Sequence, residues 1–429
     1  MIISFIIFFV YIIYTSIHPR KGILAFFPIS LLFTTVPLFS FGNTHVGLNF
    51  CMLAFVIFTM AKYRKERLYI RTNPFYLNIL AFIIGFILIY LLGAYRSSIY
   101  PFTVLILNYL FVILLWQYFK FKSDILYFIK CLIIVFIIIC LYAIIEYILG
   151  HNIWMEWLQS QTTASIFSSH HDDYRLGFAR MNSVFHFPIP LGDACAIMIS
   201  FLLFWELNSS AKLLKGKGLI IIIGLLIIGL ILSNSRAPIV ALFFGLLHLN
   251  IFKNKKRLFI FIITGVVLFS LGYSYLSSVI ESMINASSDN VGGSSVNLRE
   301  LQLAYCINEF HKNPLFGAGF NRLMELQDVT NRELAGAESY AFFLLVEQGL
   351  CGIITYIYAC LRMMTLFKGY SFKMIIFTIS FTLLWIAADM ISLTTGINIT
   401  FPIIILMLIY RSCQLNLIIA PFKISNNRK

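Results

Sequence analysis

The chain has 429 residues, of which 60% are hydrophobic and only 12% charged, and its mean hydropathy is +0.89. So little charge cannot cover the surface of a soluble domain, so a soluble globular enzyme is excluded and an all-α polytopic membrane protein is expected, with residues 1–429 forming a single integral membrane domain. The net charge of +14 would suit nucleic acid. The basic residues, however, sit in short loops between apolar runs, where they report topology, and no nucleic-acid partner is expected.

In chain order, Met1 to Ile17 is apolar without a basic leader or a small-residue cleavage site, and reads as a retained span rather than a signal peptide. About 13 runs approach the roughly 20 residues a bilayer crossing needs. They are Ile2–Ile17, Ile23–Phe41, Val46–Ala61, Phe75–Ala94, Ile99–Phe119, Ile125–Leu149 and Pro188–Glu206. Gly218–Leu232, Ala237–Phe252, Leu258–Leu276, Ser339–Leu361, Met374–Met390 and Ile397–Tyr410 follow. Several are short, so 12 or 13 transmembrane helices are expected.

The loops between them alternate in charge. Arg20-Lys21, Lys62 to Arg71, Lys120 to Lys122, Lys212 to Lys217, Lys253 to Arg257, Arg362 to Lys373 and the C-terminal tail form one set, with about 23 of the 32 Lys and Arg residues. Asn43 to His45, Arg96, Gly150–Phe187, Ser233 to Arg236, Ser277–Glu338 and Ile391 to Gly396 form the other, with about 8. The positive-inside bias assigns the first set to the cytoplasm, the N-terminus to the outside and the C-terminus to the inside. The two long loops, 150–187 and 277–338, then share the extracytoplasmic face, and long loops on one face point to a site there.

Few polar residues are available for chemistry. Arg180 stands just ahead of Pro188 and its span; taken alone it reads first as a headgroup-level anchor, and otherwise as a residue facing a cavity. Arg236 lies in a short turn, Ser233-Asn234-Ser235-Arg236-Ala237-Pro238, on the face where arginine is disfavoured; its planar fork suits a phosphate-bearing ligand, and chance placement is the competing reading. Asn297 followed by Glu300 predicts a capped helix, stopped at Asn313-Pro314. That helix is expected to lie along the membrane on a stripe of Leu298, Leu301, Ala304, Tyr305 and Ile307, with Arg299, Gln302 and Glu309 off it. Arg299 is then either a solvated interfacial arginine or one offered to a polar ligand.

Glu338 opens the following span, where a helix N-terminus favours its charge and weakens it as a base. Glu347, Asp193 and Asp389 fall in or near spans, as functional groups or as partners of a neighbouring helix. His170-His171-Asp172-Asp173 has no second cluster to complete a metal site, the eight cysteines show neither zinc spacing nor a disulfide framework, and no nucleotide loop is present. No metal and no cofactor are expected.

Three passages resemble the bacterial O-antigen polymerase and O-antigen ligase superfamily. Ser233-Asn234-Ser235-Arg236 resembles its Ser-x-Ser-Arg turn. Arg299 followed by Pro314-Leu315-Phe316-Gly317-Ala318-Gly319 resembles its Arg…Pro-Leu-x-Gly-x-Gly passage, and Ser339-Tyr340 with Glu347-Gln348-Gly349-Leu350-Cys351-Gly352 resembles its Glu-x-Gly-Leu-x-Gly helix. Arg180 ahead of Pro188 is a fourth point of likeness. Ligases of the family usually carry His-Asn before that Ser/Tyr; this chain has Ala337-Glu338, which turns the resemblance towards polymerase.

The resemblance implies a glycosyltransferase of the bacterial inner membrane acting in lipopolysaccharide biosynthesis. Its donor would be a glycan on undecaprenyl diphosphate and its acceptor another lipid-linked repeat unit. Arg180, Arg236 and Arg299 would hold the diphosphate, with Arg299 also catalytic; the family's histidine being absent, Glu338 is the candidate base, the alternative being late proton loss without help from any side chain. A protein that sets chain length is the implied partner. The alternatives are the ligase that joins O-antigen to the lipid A core, and a flippase for lipid-linked sugars; a flippase should line a central cavity with charge, whereas here charge gathers in the loops of one face.

Overall fold

Apolar runs become helices because a bilayer leaves no other partner for main-chain N–H and C=O groups. A computed structural model describes residues 2–33, 36–41, 44–63, 69–95, 99–161, 174–175, 178–214, 216–249, 296–320, 322–329, 339–391 and 399–418. It is an all-α membrane fold. Four helices among the described residues are long and apolar enough to cross a membrane: α6 (Lys122–Leu149), α8 (Pro188–Asn208), the broken helix Tyr340–Thr365, and Phe372–Asp389 within α15 (Phe372–Ile391). Shorter apolar helices surround them. These include α1 (Ile2–Ile17), α3 (Leu48–Lys62), α4 (Tyr76–Leu92), α5 (Ile99–Leu115), α9 (Gly216–Leu232), α10 (Arg236–Leu246) and α16 (Thr400–Gln414).

The expected span Ile23–Phe41 is not one helix. Helix α2 runs only over Pro19–Ser30, and the chain then forms a hairpin of β1 (Pro37–Phe41) and β2 (Thr44–Gly47). Pro28 near the end of α2 and Pro37 beyond it break the helical ladder, and the β-branched Thr34-Thr35-Val36 between them disfavours helix. The expected span Leu258–Leu276 lies outside the described residues.

Helix α8 occupies the centre. It is buried almost along its whole length, including Asp193 and Ser200, and packs against α9, α10 and α15. Helix α16 is buried from Phe401 to Ile409. At the periphery, Ile2, Ile6 and Ile13 of α1 and Ile220 and Ile221 of α9 point outward, as lipid-facing residues do.

The loops divide into two groups that touch only within themselves among the contacts described. In the basic group, Arg20 pairs with Asp124 and stacks on Phe121, 4.6 Å from its ring centre. Arg411 donates to the Phe119 carbonyl at 2.8 Å, Arg362 to that of Pro74 at 3.0 Å, and Ser210 N–H to that of Leu417 at 2.8 Å. In the other group, Tyr95 N–H donates to Ala318 O at 2.7 Å, Met181 N–H to Leu232 O at 3.0 Å, and Asn152 Nδ2 to Ser183 O at 2.9 Å. The charge alternation in the sequence therefore coincides with two physical ends of the helix bundle.

These two ends can be separated by labelling. In a background whose eight cysteines are removed, Ser160→Cys should react with a membrane-impermeant maleimide on intact cells. Lys368→Cys should react only after permeabilisation. Labelling of both from one side would break the two-face grouping, and the reverse pattern would invert the orientation expected from charge.

Candidate functional site

Two constructions dominate the less basic end. The first gathers Arg180 and the Ser233–Arg236 turn. Helix α9 stops when Ser233 turns its hydroxyl back to Leu230 O at 2.7 Å, and Asn234 takes a left-handed conformation (φ 45°), which asparagine tolerates better than most residues. Ser235, the residue before α10, donates its hydroxyl to Ser233 O at 3.0 Å and accepts from Arg180 Nη2 at 3.1 Å. All three residues are buried. Arg236 follows as the first residue of α10; its side chain lies outside the described residues.

Arg180 is itself fixed through the main chain. Met181 is bonded to the last carbonyl of α9, at Leu232. Asn182 and Ser183 donate their N–H groups to the two carboxylate oxygens of Glu146, at 3.2 and 2.7 Å. Glu146 lies at the end of α6, which Gly150 terminates, and is 5% exposed. Asn152, just after that terminus, donates to Ser183 O and accepts from Tyr142 Oη and Met155 N–H.

The second construction unites the Pro-Leu-x-Gly-x-Gly turn with the Glu-x-Gly-Leu-x-Gly helix. Helix α11 (Val296–Lys312) ends at Asn313-Pro314, as the proline dictates. Helix α13 (Tyr340–Phe343) then widens into a π turn over Leu344–Gln348 before α14 (Gly349–Thr365). In a regular helix the carbonyls of Val346 and Glu347 would accept from the N–H groups of Leu350 and Cys351. Here those carbonyls accept from Ala318 and Gly319 at 2.8 and 3.1 Å, while Leu350 and Cys351 donate to Pro314 O and Leu315 O at 2.8 and 3.0 Å. Four bonds between segments replace two within the helix.

Such an approach leaves no room for side chains. Gly317 (φ 68°) would place a Cβ 2.4 Å from the Glu347 carbonyl carbon, and Gly349 (φ 60°) would place one 2.6 Å from Gly317 N. The turn also binds the end of α4, through Tyr95 N–H to Ala318 O. Arg322, at the start of α12 (Arg322–Val329), lies 4.2 Å from the Tyr95 ring centre and pairs with Glu325 at 3.3 Å. Glu347 Oε1 accepts from Leu323 N–H at 3.1 Å, so this buried carboxylate caps α12.

Leu301 and Ile307 of the expected stripe on α11 stay outward, as on a helix lying along a membrane, and the side that packs on protein carries residues off that stripe. Gln302, Cys306 and Glu309 are buried, Cys306 within a small core of Leu323, Leu326, Phe342 and Val346, whereas Leu301, Leu303 and Ile307 are 40% or more exposed. Beside a membrane the polar face can turn to protein and the apolar face outward, the reverse of a soluble helix. Burial pushes the Cys306 thiol up to about 12, so it stays protonated. The helix starts at Val296, placing Asn297 inside it rather than at its cap.

Of the expected site residues, the structure brings Arg180 to the turn that holds Arg236. Arg299 lies in the first turn of α11 with its side chain outside the described residues, and Glu338 is outside them altogether, as is His170–Asp173. Asp193 and Asp389 are buried in α8 and α15. Sequence reading missed Glu146, Asn152 and Arg322. A carboxylate inside an apolar helix four residues before Gly150 was the signal available for Glu146.

A helical membrane protein with a serine-built arginine turn and a glycine-locked helix at one end of the bundle is the class these features define. Residues 220–357 match the family model described as O-antigen ligase, a stretch that runs from α9 through the arginine turn and the glycine lock into α14. Over that stretch the chain is similar to the O-antigen polymerase/ligase superfamily, and its apolar helices make it a multi-pass membrane protein. A search of curated proteins finds no match to it.

The lock predicts unequal costs for one substitution. Gly150→Ala meets only the left-handed penalty, about 1 kcal/mol, because nothing lies within 4 Å of the added carbon. Gly349→Ala and Gly317→Ala add a main-chain collision and should unfold the locked end, with a much larger fall in Tm in detergent or no recoverable protein. Equal melting temperatures for Gly150→Ala and Gly349→Ala would contradict the lock.

Proposed function

We propose that the protein is an O-antigen polymerase, extending a glycan outside the cytoplasm of the bacterial inner membrane. The donor is the growing glycan on undecaprenyl diphosphate, and the acceptor is a sugar hydroxyl of another lipid-linked repeat unit. The acceptor oxygen bonds to the anomeric carbon, the bond from that carbon to the diphosphate oxygen breaks, and undecaprenyl diphosphate leaves. Charge grows on the leaving diphosphate, and Arg180, Arg236 and Arg299 are proposed to stabilise it through paired hydrogen bonds that tighten in the transition state. Glu338 is the proposed acceptor of the hydroxyl proton. A membrane partner that sets glycan length accompanies this assignment.

The observation that carries this reading is the bond from Arg180 to Ser235, next to Arg236. It joins two arginine-bearing segments, 55 residues apart in sequence, at one end of the bundle within a chain similar to this superfamily. The description of the matching family favours a second reading, ligation of finished O-antigen to the lipid A core. Ala337-Glu338, in place of the ligases' His-Asn, is the reason for preferring polymerase.

Lipopolysaccharide banding separates the two. Loss of a polymerase leaves cores bearing one repeat unit; loss of a ligase leaves bare core. Arg180→Ala, Arg236→Ala and Arg299→Ala should each cost on the order of 100-fold in extension rate, about 3 kcal/mol, in a purified assay with lipid-linked repeat units. Full ladders from Arg236→Ala and Arg299→Ala at normal protein levels would falsify the shared-diphosphate site, and a wild-type protein that moves lipid-linked units without lengthening them would be a flippase.

A further inference from the structure

We infer that Glu146 is a positioning residue for donor binding, acting through Arg180; the inference rests on the diphosphate site proposed above. Its buried carboxylate accepts from the main-chain N–H groups of Asn182 and Ser183 and also meets the Asn152 side chain, which itself donates to Ser183 O. Asn182 and Ser183 are the second and third residues after Arg180. On the other side Met181 is bonded to Leu232 O, the residue before the Ser233 turn. The segment that carries Arg180 is therefore clamped between the end of α6 and the end of α9, with no freedom to slide along either.

Ser183 shows that the clamp works against a local preference. It sits at φ 54°, a left-handed conformation unfavourable for a residue with a side chain. Every polar group it has is engaged. Its N–H goes to Glu146 Oε2 at 2.7 Å, its hydroxyl to Ile139 O at 2.7 Å, and its carbonyl accepts from Asn152 Nδ2 at 2.9 Å. Strained residues persist where their surroundings over-determine them, and they gather near working sites. Here the strained residue lies three positions from an arginine that reaches the Ser235 hydroxyl.

Glu146→Gln tests the role, because the amide leaves one acceptor oxygen and turns an NH2 group towards the other N–H. Binding of undecaprenyl diphosphate to the purified full chain in detergent is the first readout, extension of lipid-linked repeat units the second. Glu146→Gln should weaken binding about tenfold, the scale of one lost hydrogen bond to a charged group, and raise KM with little change in kcat. In an Arg180→Ala background the same substitution should add nothing, since its effect passes through that arginine. Asp124→Asn, which loosens a buried carboxylate at the opposite end of the bundle, should lower Tm without moving Kd.

If Glu146→Gln cannot be recovered, Ser183→Ala, which removes only the bond to Ile139, should shift Kd in the same direction by a smaller factor. Wild-type Kd in Glu146→Gln, or equal further weakening in the Arg180→Ala background, overturns the inference while leaving the diphosphate site standing. A wild-type chain that binds the lipid but never lengthens a glycan defeats the polymerase reading alone. A wild-type chain that does not bind it defeats both.

Discussion

The less basic end of the molecule is organised by an exchange of main-chain hydrogen bonds. A helix that widens at Leu344–Gln348 gives up two internal bonds, and the turn at Pro314–Gly319 supplies four in their place. A main-chain group left without a partner beside lipid costs several kcal/mol, so the widening is tolerable only while the turn is docked. The turn gains in return, because its carbonyls at Pro314 and Leu315 accept from Leu350 and Cys351. Three further elements follow from that contact: the end of α4 joins through Tyr95, α12 is capped by Glu347, and α11 packs its polar face on the small core beside the π turn.

This exchange gives physical content to motifs that otherwise look like spacing alone. Pro-Leu-x-Gly-x-Gly and Glu-x-Gly-Leu-x-Gly are two halves of one joint. Proline ends α11 where the turn must begin. Gly317 and Gly349 meet across the joint at distances that no Cβ permits. The glutamate contributes its carbonyl to the turn and its carboxylate to the next helix. The Ser-x-Ser-Arg turn divides its labour in the same way: Ser233 closes one helix, Asn234 reverses the chain, and Ser235 receives Arg180.

Much of this architecture was legible in the sequence, and the failures have identifiable causes. Long apolar runs such as Pro188–Asn208 and Phe372–Ile391 announced themselves by length, and loop charge sorted the ends of the bundle. The run from Ile23 failed because apolar length outweighed two prolines in the reading, although each removes a ladder bond. The protein-facing side of α11 was not legible, because the apolar stripe marked only the side laid along the membrane, and the buried Gln302 and Glu309 lie off that stripe. The Arg180–Ser235 contact and the grip of Glu146 span 55 and 36 or 37 residues, and no local pattern encodes a pairing at that separation.

The placement of the carboxylates bears on what an arginine site at a membrane surface requires. Stabilising charge that grows on a diphosphate is worth most where water is scarce and the donors are already in position, since reorganising them during the reaction would consume the gain. An acid set directly against each guanidinium would fix it, but would also cancel the field it offers to an anion. In this chain Glu146 and Glu347 instead bind main-chain N–H groups next to Arg180 and Arg322. Arg180 donates to the Ser235 hydroxyl, whereas Arg322 lies over the Tyr95 ring and does pair with an acid, Glu325, at 3.3 Å. Rigidity at both places thus comes from the backbone, through buried acids that hold peptide groups next to the arginines.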